Sequence, residues 1–241
     1  IDRIFIGSYA NIFHKNFISY FTNGTKINLI YDGLQVLAVS ENRISGRGEI
    51  KTLPFLYKLL FFKNTPVHSL NYLVPFNFKI PISDSIEVFQ IDQKVAGRYD
   101  QKLIYFIGQP LESIKAVSED YYLRTLKKFV KGNIGKKVFY IPHPREKRAK
   151  IEAIANICEV FAPGKVFEEY FLETIDRPLN VASFYSSVLL NLYAIDKNVN
   201  LISISIPYDK LLHPRFENIL KPIYRSFGEI SEERFQIINL S

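Results

Sequence analysis

The sequence is poor in sulfur: it contains one cysteine and no methionine. A single cysteine, Cys158, excludes an internal disulfide and any zinc site built from several thiolates. This composition fits a reducing compartment, so we expect a cytoplasmic protein. Because methionine is absent, Ile1 is not an initiator residue, and we expect the chain to be trimmed at its start.

Long apolar runs are also missing. No stretch approaches the roughly 20 apolar residues that a bilayer-spanning helix needs. Residues 1–9, with the sequence IDRIFIGSY, lack the basic start and the cleavage pattern of a secretory signal peptide. The sequence therefore predicts neither a membrane span nor a secretory leader.

Several motifs that bind common cofactors are absent. The chain has no G-x-G-x-x-G motif and no Walker A loop, so the familiar dinucleotide and ATP fingerprints do not apply. It has no G-x-S-x-G nucleophile elbow, and its 4 histidines are too scattered for a metal site. We therefore expect no metal and no cofactor.

Basic residues outnumber acidic ones, 31 to 24, which gives a formal net charge of +7. They are scattered, and no aromatic-basic RNA-binding signature accompanies them, so we expect no nucleic-acid partner. Two interpretations remain: an ordinary basic enzyme surface, or attraction to an anionic substrate or to anionic lipid. The second predicts peripheral contact with the inner face of the cell membrane.

The second half of the chain alternates apolar, strand-like runs with amphipathic, helix-like segments. Predicted strands cover residues 102–108, 136–142, 158–161, 179–184 and 200–206. Predicted helices cover residues 118–132, 145–157, 166–174, 186–195 and 217–227, the last interrupted at Pro222. Strands that alternate with helices pair in parallel through right-handed crossovers, which predicts a doubly wound α/β domain.

The first half begins in the same way. Strands are predicted at residues 2–9, 26–33 and 35–40, with a helix at 11–21. Residues 50–95 are rich in proline and irregular, and we expect a covering helix and loops there. A boundary near residues 92–101 divides the chain into domains 1–95 and 96–241.

In open α/β sheets, ligands gather at the carboxyl ends of the strands. His143 follows a predicted strand there, between two prolines, Pro142 and Pro144, that fix the backbone around it. A stiffly mounted imidazole suits a group that meets a phosphate or a leaving group; the alternative is a rigid turn with an incidental histidine. His213 repeats the His-Pro-Arg sequence without an apolar strand before it, so we interpret it as structural.

Other polar residues also follow predicted strands. Ser186 and Ser187 open a helix, where they either cap it or bind an anion together with free backbone N–H groups. Asp32 precedes Gly33 at a strand end and is either a general base or part of an Asp-Gly hairpin turn. Glu168 lies in a short helical segment and either accepts hydrogen bonds from ribose hydroxyls or is simply solvated.

Taken in order, these motifs resemble those of bacterial sialyltransferases. The likeness is closest to glycosyltransferase family 52, the lipooligosaccharide sialyltransferases, and to the related bacterial polysialyltransferases. Those enzymes carry an acidic-acidic-Gly motif, a His-Pro motif and a Ser-Ser or Ser-Thr motif; here these are Asp32 with Gly33, YIPHPRE at 140–146, and Ser186 with Ser187. IGQPLES at 107–113 resembles the opening strand of the family's donor-binding domain.

The resemblance implies a GT-B fold, in which two Rossmann-like doubly wound domains face a cleft. Domain 1–95 would be a partial, truncated acceptor-side domain, and domain 96–241 would bind the donor, CMP-sialic acid. The family needs no metal and no cofactor. Its acceptor is a hydroxyl of a cell-surface glycan, lipooligosaccharide or capsule. Tyr31 stands where the family often has its first acid, which leaves Asp32 as the only carboxylate in that motif.

The resemblance also implies roles for individual residues. Asp32 would deprotonate the acceptor hydroxyl, and His143 would donate a hydrogen bond or a proton to the departing phosphate. The donor-binding residues would be Ser186, Ser187, Glu168, Pro144 and Gly108, with Glu112 as the alternative base. Two other functions stay open: the same scaffold using a UDP-hexose, or a non-catalytic α/β binding module. The sequence does not specify the acceptor, the linkage or the oligomeric state.

Overall fold

The computed structural model describes residues 1–9, 11–21, 24–46, 67–89, 97–230 and 234–240. The chain divides into two compact units, Ile1–Ile91 and Asp92–Ser241. Both units contain a parallel sheet with helices, so the predicted α/β class is confirmed. Of the stretch 50–95, where a covering helix and loops are predicted, residues 50–66 and 90–95 lie outside the described residues.

The first unit is built on a four-stranded parallel sheet in the order β1-β2-β3-β4. Its elements are β1 (Arg3–Ile6), α1 (Ile12–Ile18), β2 (Lys26–Ile30), α2 (Gln35–Ile44), β3 (Asn71–Val74) and β4 (Ser85–Val88).

Two predictions for this unit were wrong, and one of the two alternatives for Asp32 is excluded. Residues 35–40 form helix α2 instead of a strand, because Val36, Val39 and Ser40 are buried at the i, i+3, i+4 spacing of a helix face. Asp32 and Gly33 form no hairpin: β2 pairs in parallel with its neighbours, and the pair leads into α2, with Gly33 at φ +66°. The short strands β3 and β4 were missed in the stretch expected to be irregular.

The second unit is larger and has a six-stranded parallel sheet. Its strands are β5 (Arg98–Ile107), β6 (Lys137–Ile141), β7 (Glu159–Val160), β8 (Asp176–Ser183), β9 (Asn200–Ser205) and β10 (Phe235–Asn239). Its helices are α3 (Glu119–Gly132), α4 (Arg148–Ala155), α5 (Phe167–Glu173), α6 (Ser187–Ile195) and α7 (Arg215–Ile230).

The order of these strands is β10-β9-β8-β5-β6-β7, and every neighbouring pair is parallel. Counted within the unit, this is the 3-2-1-4-5-6 order of doubly wound nucleotide-binding sheets. The order reverses between β5 and β8, so the crevice at their carboxyl ends is the expected ligand position. The five strands and five helices predicted for residues 102–227 are confirmed, whereas β10 was not predicted.

Helix α7 differs from its prediction because it continues through Pro222. A proline inside a helix removes one backbone hydrogen bond and normally interrupts or kinks the helix. Here Phe216, Leu220, Ile223 and Phe227 form a buried face on both sides of the proline. Burial of this apolar face outweighs the lost bond and keeps the helix continuous.

Aromatic side chains hold α3 on the sheet of the second unit. The ring of Phe106 in β5 stacks on Tyr140 of β6 at 5.8 Å and meets Phe129 of α3 edge-on at 5.4 Å. Ser118 caps α3 by accepting a hydrogen bond from the N–H of Tyr121. These contacts pack α3 against the carboxyl-end residues of β5 and β6.

A buried ion pair stabilises the first unit. Arg43 of α2 donates from Nε and Nη2 to both carboxylate oxygens of Asp84, at 2.8 and 2.7 Å. Asp84 also accepts from the N–H of Leu70 and the hydroxyl of Tyr72. The Asp84 side chain is fully buried, so its charge depends on these donors.

We expect Asp84→Asn to lower the free energy of unfolding of the first unit by about 3 kcal/mol, because it leaves Arg43 buried without a counter-charge. The control is Glu87→Gln, because the half-exposed carboxylate of Glu87 lies 3.8 Å from Lys26 Nζ. This substitution should lower the free energy of unfolding by about 1 kcal/mol or less. Amide hydrogen exchange in β3 measures both. Equal losses of stability in Asp84→Asn and Glu87→Gln would contradict a stabilising role for the buried ion pair.

Candidate functional site

His143 lies in a tight turn directly after β6. The N–H of Glu146 donates to the carbonyl oxygen of His143 at 2.9 Å, which closes a β-turn with Pro144 at its second position. Proline suits that position because its ring presets φ. The Glu146 carboxylate also accepts the backbone N–H of His143 at 2.7 Å. The turn is therefore closed twice, once by backbone and once by a side chain.

The imidazole of His143 has a defined tautomer. Its Nδ1 faces the N–H of Arg145 at 3.1 Å and accepts from it, so the neutral ring carries its proton on Nε2. Burial, followed by the positive charge of Arg145, lowers the pKa of His143 below its ordinary value; Glu146 opposes this and Lys150 adds to it. At neutral pH, the ring thus offers an uncharged N–H donor at Nε2.

A buried charged cluster lies beneath this turn. Lys150 of α4 is fully buried, and its Nζ contacts carboxylate oxygens of Glu146 and, at 2.7 Å, of Glu112. It also donates to the carbonyl oxygen of Gln109 at 2.9 Å and lies 3.5 Å from the ring centre of Tyr122. One ammonium group therefore ties α4 to the segment that follows β5.

Tyrosine hydroxyls complete the cluster. Tyr140 donates to Glu146 Oε1 at 2.6 Å and lies 2.8 Å from the hydroxyl of Tyr122. Tyr122 in turn accepts from the N–H of Gln109 at 3.2 Å. Burial raises the pKa of both tyrosines well above its ordinary value, so both hydroxyls keep their protons and remain donors.

Gly108, predicted to bind the donor, lies at the end of β5 against this cluster. A Cβ at this position would come within 3 Å of the Tyr140 hydroxyl and of a Glu146 carboxylate oxygen. Glycine is therefore required at this position for the cluster to close.

Gln109, the next residue, bridges β5 and β8 at the point where the strand order reverses. Its side-chain oxygen accepts from the N–H of Tyr185 at 3.1 Å and from the hydroxyl of Ser183 at 3.3 Å.

The two serines at the start of α6 differ in their contacts. The Ser186 hydroxyl is the N-cap and accepts from the N–H of Val188 at 3.2 Å. Ser187 is half-buried, and its hydroxyl has no partner within the part of the chain that the structure describes. The predicted helix start is thus confirmed, with Ser186 engaged in capping and Ser187 available to a ligand.

Glu168 lies beside α6. Its Oε1 accepts from the side-chain amide of Asn191 at 2.5 Å, and Asn191 is one turn after Ser187 on the same face of the helix. The structure therefore brings Glu168, Ser187 and the carboxyl end of β8 to one region of the second unit.

Asp32 belongs to the first unit, where it follows β2 at the carboxyl edge of that sheet. Its side chain is exposed, and among the described residues no hydrogen bond or ion pair engages its carboxylate. The neighbouring Tyr31 packs its ring edge-on against Phe76 at 5.6 Å. Asp32 is therefore the free carboxylate of this strand end.

Glu112, the alternative base, has a different environment. Its carboxylate is almost fully buried in the ion pair with Lys150 and accepts from the Ser113 hydroxyl at 3.0 Å. Burial raises the pKa of Glu112, but the hydrogen bond and charge of Lys150 outweigh it and leave the pKa below its ordinary value. A carboxylate held in this way is a weak proton acceptor.

The second His-Pro-Arg sequence shares the backbone hydrogen bond of the first but lacks the carboxylate. The N–H of Phe216 donates to the carbonyl oxygen of His213 at 3.1 Å, as Glu146 does to His143. Phe216 stands where the first copy has Glu146, so no side chain from this position can accept the His213 N–H. His213 is exposed and lies at the start of α7.

Three residues of this region escaped the sequence prediction: Gln109, Glu146 and Lys150. A signal for two of them was present, because Glu146 and Lys150 are four residues apart at the start of a predicted helix. Lys150 also shares the buried helix face with Ile154, which predicts a buried cation that requires a counter-charge.

Two further properties of the chain concern metal ions and membranes as possible partners. Across the described ranges, no three His, Cys, Asp or Glu side chains lie close enough to hold a metal ion. Within the same residues, no helix combines the length and the apolar character that crossing a membrane requires.

The second unit thus has the strand order and the polar carboxyl edge of a nucleotide-binding α/β domain. The family model for alpha-2,8-polysialyltransferase (POLYST) matches residues 76–204, more than half of the chain, and the chain belongs to this family. The predicted kinship with bacterial sialyltransferases is therefore confirmed at the family level. The match includes Gly108, His143 and both serines.

Among solved structures, the chain is similar to the crystal structure of Acinetobacter baumannii MurG, with a TM-score of 0.49 and 8% identity. The alignment covers 99% of this chain and 60% of that one. No curated protein matches the chain.

The contacts of the two serines predict separable effects. Ser186→Ala removes the cap of α6 and should lower the free energy of unfolding by about 1 kcal/mol. If the start of α6 binds the phosphate of the donor, as the sequence predicts, Ser187→Ala should leave stability nearly unchanged and weaken CMP binding about tenfold, because it removes a hydroxyl donor to a charged phosphate. Thermal melting and calorimetry measure the two effects.

Cytidine, which lacks the phosphate, is the control ligand. It should bind equally to the wild type and to Ser187→Ala. If cytidine binding falls as much as CMP binding, the serine is structural and the phosphate assignment fails.

Proposed function

We propose that this protein transfers sialic acid from CMP-sialic acid to a hydroxyl of a cell-surface glycan, in one inverting step without a metal or a cofactor. The observation that carries the proposal is that His143 and Ser187 follow the two strands that flank β5, at the carboxyl edge of a doubly wound sheet. Membership in the polysialyltransferase family supports the choice of donor and reaction.

The donor's phosphate is the group that this edge suits. When the bond between the anomeric carbon and the phosphate oxygen breaks, its electron pair stays on CMP, and negative charge builds on the phosphate. The Nε2–H of His143 would donate a hydrogen bond to that charge. Because the ring is neutral at pH 7, we propose hydrogen bonding, not transfer of an imidazolium proton, as its contribution.

The start of α6 would hold the same phosphate from the other side. Ser187 offers a hydroxyl and a backbone N–H at a helix N-terminus, where the helix dipole favours an anion. β6 and β8 flank β5 in the sheet, so His143 and Ser187 follow strands about 10 Å apart. That spacing accommodates a phosphate between them, above Gly108. Glu168 would accept hydrogen bonds from the ribose.

Asp32 is the base that we propose for the acceptor hydroxyl. Among the residues that the structure describes, its exposed carboxylate has no competing partner, whereas that of Glu112 is ion-paired with Lys150. Asp32 would take the proton of the acceptor hydroxyl while the hydroxyl oxygen forms the new bond to the anomeric carbon. The two units would then act as the acceptor and donor domains of a GT-B enzyme.

The acceptor glycan and contact with the membrane are further proposals. A lipooligosaccharide or capsular glycan, and the finer kinship with glycosyltransferase family 52, follow from the His-Pro and Ser-Ser motifs. The net charge of +7 supports peripheral contact with an anionic membrane on its cytoplasmic side.

One observation favours a second candidate, a non-catalytic binding module. Tyr31 occupies the place where related enzymes often have an acid, and its ring packs against Phe76. Such a module would bind CMP without transferring sialic acid, so the transfer assays below separate the two candidates.

The proposed role of His143 predicts unequal effects of the two His-Pro copies. His143→Ala should lower the rate of sialic acid transfer by at least ~10²-fold, because the phosphate loses its donor. His213→Ala, in the turn that lacks the carboxylate, should be nearly neutral. Transfer from CMP-sialic acid to an oligosialic acid primer measures both; equal losses would refute the assignment.

The role of Asp32 is tested by Asp32→Asn, which keeps the shape of the strand end and removes the proton acceptor. Transfer should collapse while CMP affinity and melting temperature stay close to wild type, since the base serves the acceptor. Glu112→Gln is assayed beside it. Full transfer activity in Asp32→Asn would show that the residue only forms a turn.

A further inference from the structure

The backbone N–H of His143 has a side-chain partner that the second His-Pro copy lacks. It donates to Glu146 Oε2 at 2.7 Å, whereas Phe216 occupies the matching position after His213. Both copies have the backbone hydrogen bond from the third following residue to the histidine carbonyl oxygen. The carboxylate is therefore an additional hydrogen-bond acceptor in the turn that carries His143, the proposed hydrogen-bond donor to the phosphate.

Glu146 is itself held from several sides. Its other oxygen accepts from Tyr140 and contacts Lys150, and its side chain is fully buried. Gly108 leaves the space in which the carboxylate lies. Because each contact comes from a different segment, Glu146 cannot shift without disturbing the ends of both β5 and β6.

The charge count of the cluster allows a clean test. Glu112, Glu146 and Lys150 are two carboxylates around one ammonium group, and all three side chains are almost fully buried. Replacing Glu146 by an uncharged residue leaves Lys150 paired with Glu112, a neutral pair. Such a variant avoids the unpaired buried charge that makes most substitutions in an ion cluster destabilising.

We propose that Glu146 is a positioning residue for His143. Its carboxylate holds the His143 N–H and thereby sets the orientation in which Nδ1 accepts from Arg145 and Nε2–H is presented to a ligand. The effect on transfer rests on the function proposed above; the effect on the imidazole does not.

The test compares Glu146→Leu with Glu146→Gln in the full chain. Both remove the charge next to Lys150, but only glutamine keeps an oxygen that can accept the His143 N–H. Leucine also removes the acceptor of the Tyr140 hydroxyl, so Tyr140→Phe, which loses that bond and keeps the carboxylate, is measured beside the two variants. The part of the difference that Tyr140→Phe does not reproduce reports on the hydrogen bond to His143.

The first readout is the ¹⁵N spectrum of the His143 ring without nucleotide, assigned by its loss in His143→Ala. The wild type and Glu146→Gln should show one dominant tautomer, with the proton on Nε2. Glu146→Leu should show resonances displaced toward a mixture of the two tautomers, because the ring loses its fixed orientation. Glu152→Gln, which removes an exposed ion pair with Arg148 on the same helix, should match the wild type.

The second readout is transfer. Glu146→Leu should be at least about tenfold slower than Glu146→Gln, since a small misplacement of a catalytic donor is costly. If the wild type shows no transfer, the proposed function fails, and the imidazole spectra still decide the positioning role. If Glu146→Leu does not fold, Tyr140→Phe replaces it; it loses one donor to Glu146 and should displace the same resonances by less.

Two results would overturn the proposal. One is a Glu146→Leu spectrum identical to that of the wild type, which would show that the ring needs no carboxylate. The other is an equal displacement in Glu146→Leu and Glu146→Gln, which would show that the charge, and not the hydrogen bond to His143, orients the ring.

Discussion

The contact between Glu146 and Lys150 is the interaction on which the candidate site depends. A buried ion pair stabilises little by itself, because desolvation of both charges offsets their attraction. Its consequence here is geometric: Lys150 must remain among Glu146, Glu112 and the Gln109 carbonyl to keep its charge compensated. That requirement joins the first turn of α4, the loop after β5 and the turn after β6. His143 lies on the last of these, and the Glu146 carboxylate that contacts Lys150 also accepts the backbone N–H of His143.

The strand order indicates that a ligand is expected beside this cluster. In the second unit the order reverses between β5 and β8, and ligands of doubly wound sheets bind where this happens. Gln109 bridges the two strands, the His143 turn lies on one side, and the start of α6 lies on the other. A hydrogen-bond donor after β6 and a helix N-terminus after β8 are the elements of the anion site that we propose for the nucleotide phosphate. In the first unit, Asp32 is an exposed carboxylate at the carboxyl edge of that unit's own sheet.

The sequence could predict what depends on local chemistry. The Pro-His-Pro turn, the Ser118 cap and the start of α6 are encoded within a few residues, and the apolar runs of the second unit identify its central strands. Contacts between distant segments could not be predicted: the pairing of Glu112 with Lys150 joins residues 38 apart. The Asp32 turn was ambiguous because Asp-Gly serves hairpins and strand-to-helix turns alike, and only sheet pairing decides between them. Residues 35–40 form too short a window to separate a helical from a strand period.

The central claim is that the carboxyl edge of the second unit's sheet binds the phosphate of a cytidine nucleotide. Calorimetric titration of the chain with CMP and with UDP tests it most directly. We expect CMP to bind more tightly than UDP, and His143→Ala to weaken the binding of CMP. Tighter binding of UDP would indicate a different sugar donor, and the absence of binding by either nucleotide would contradict the account.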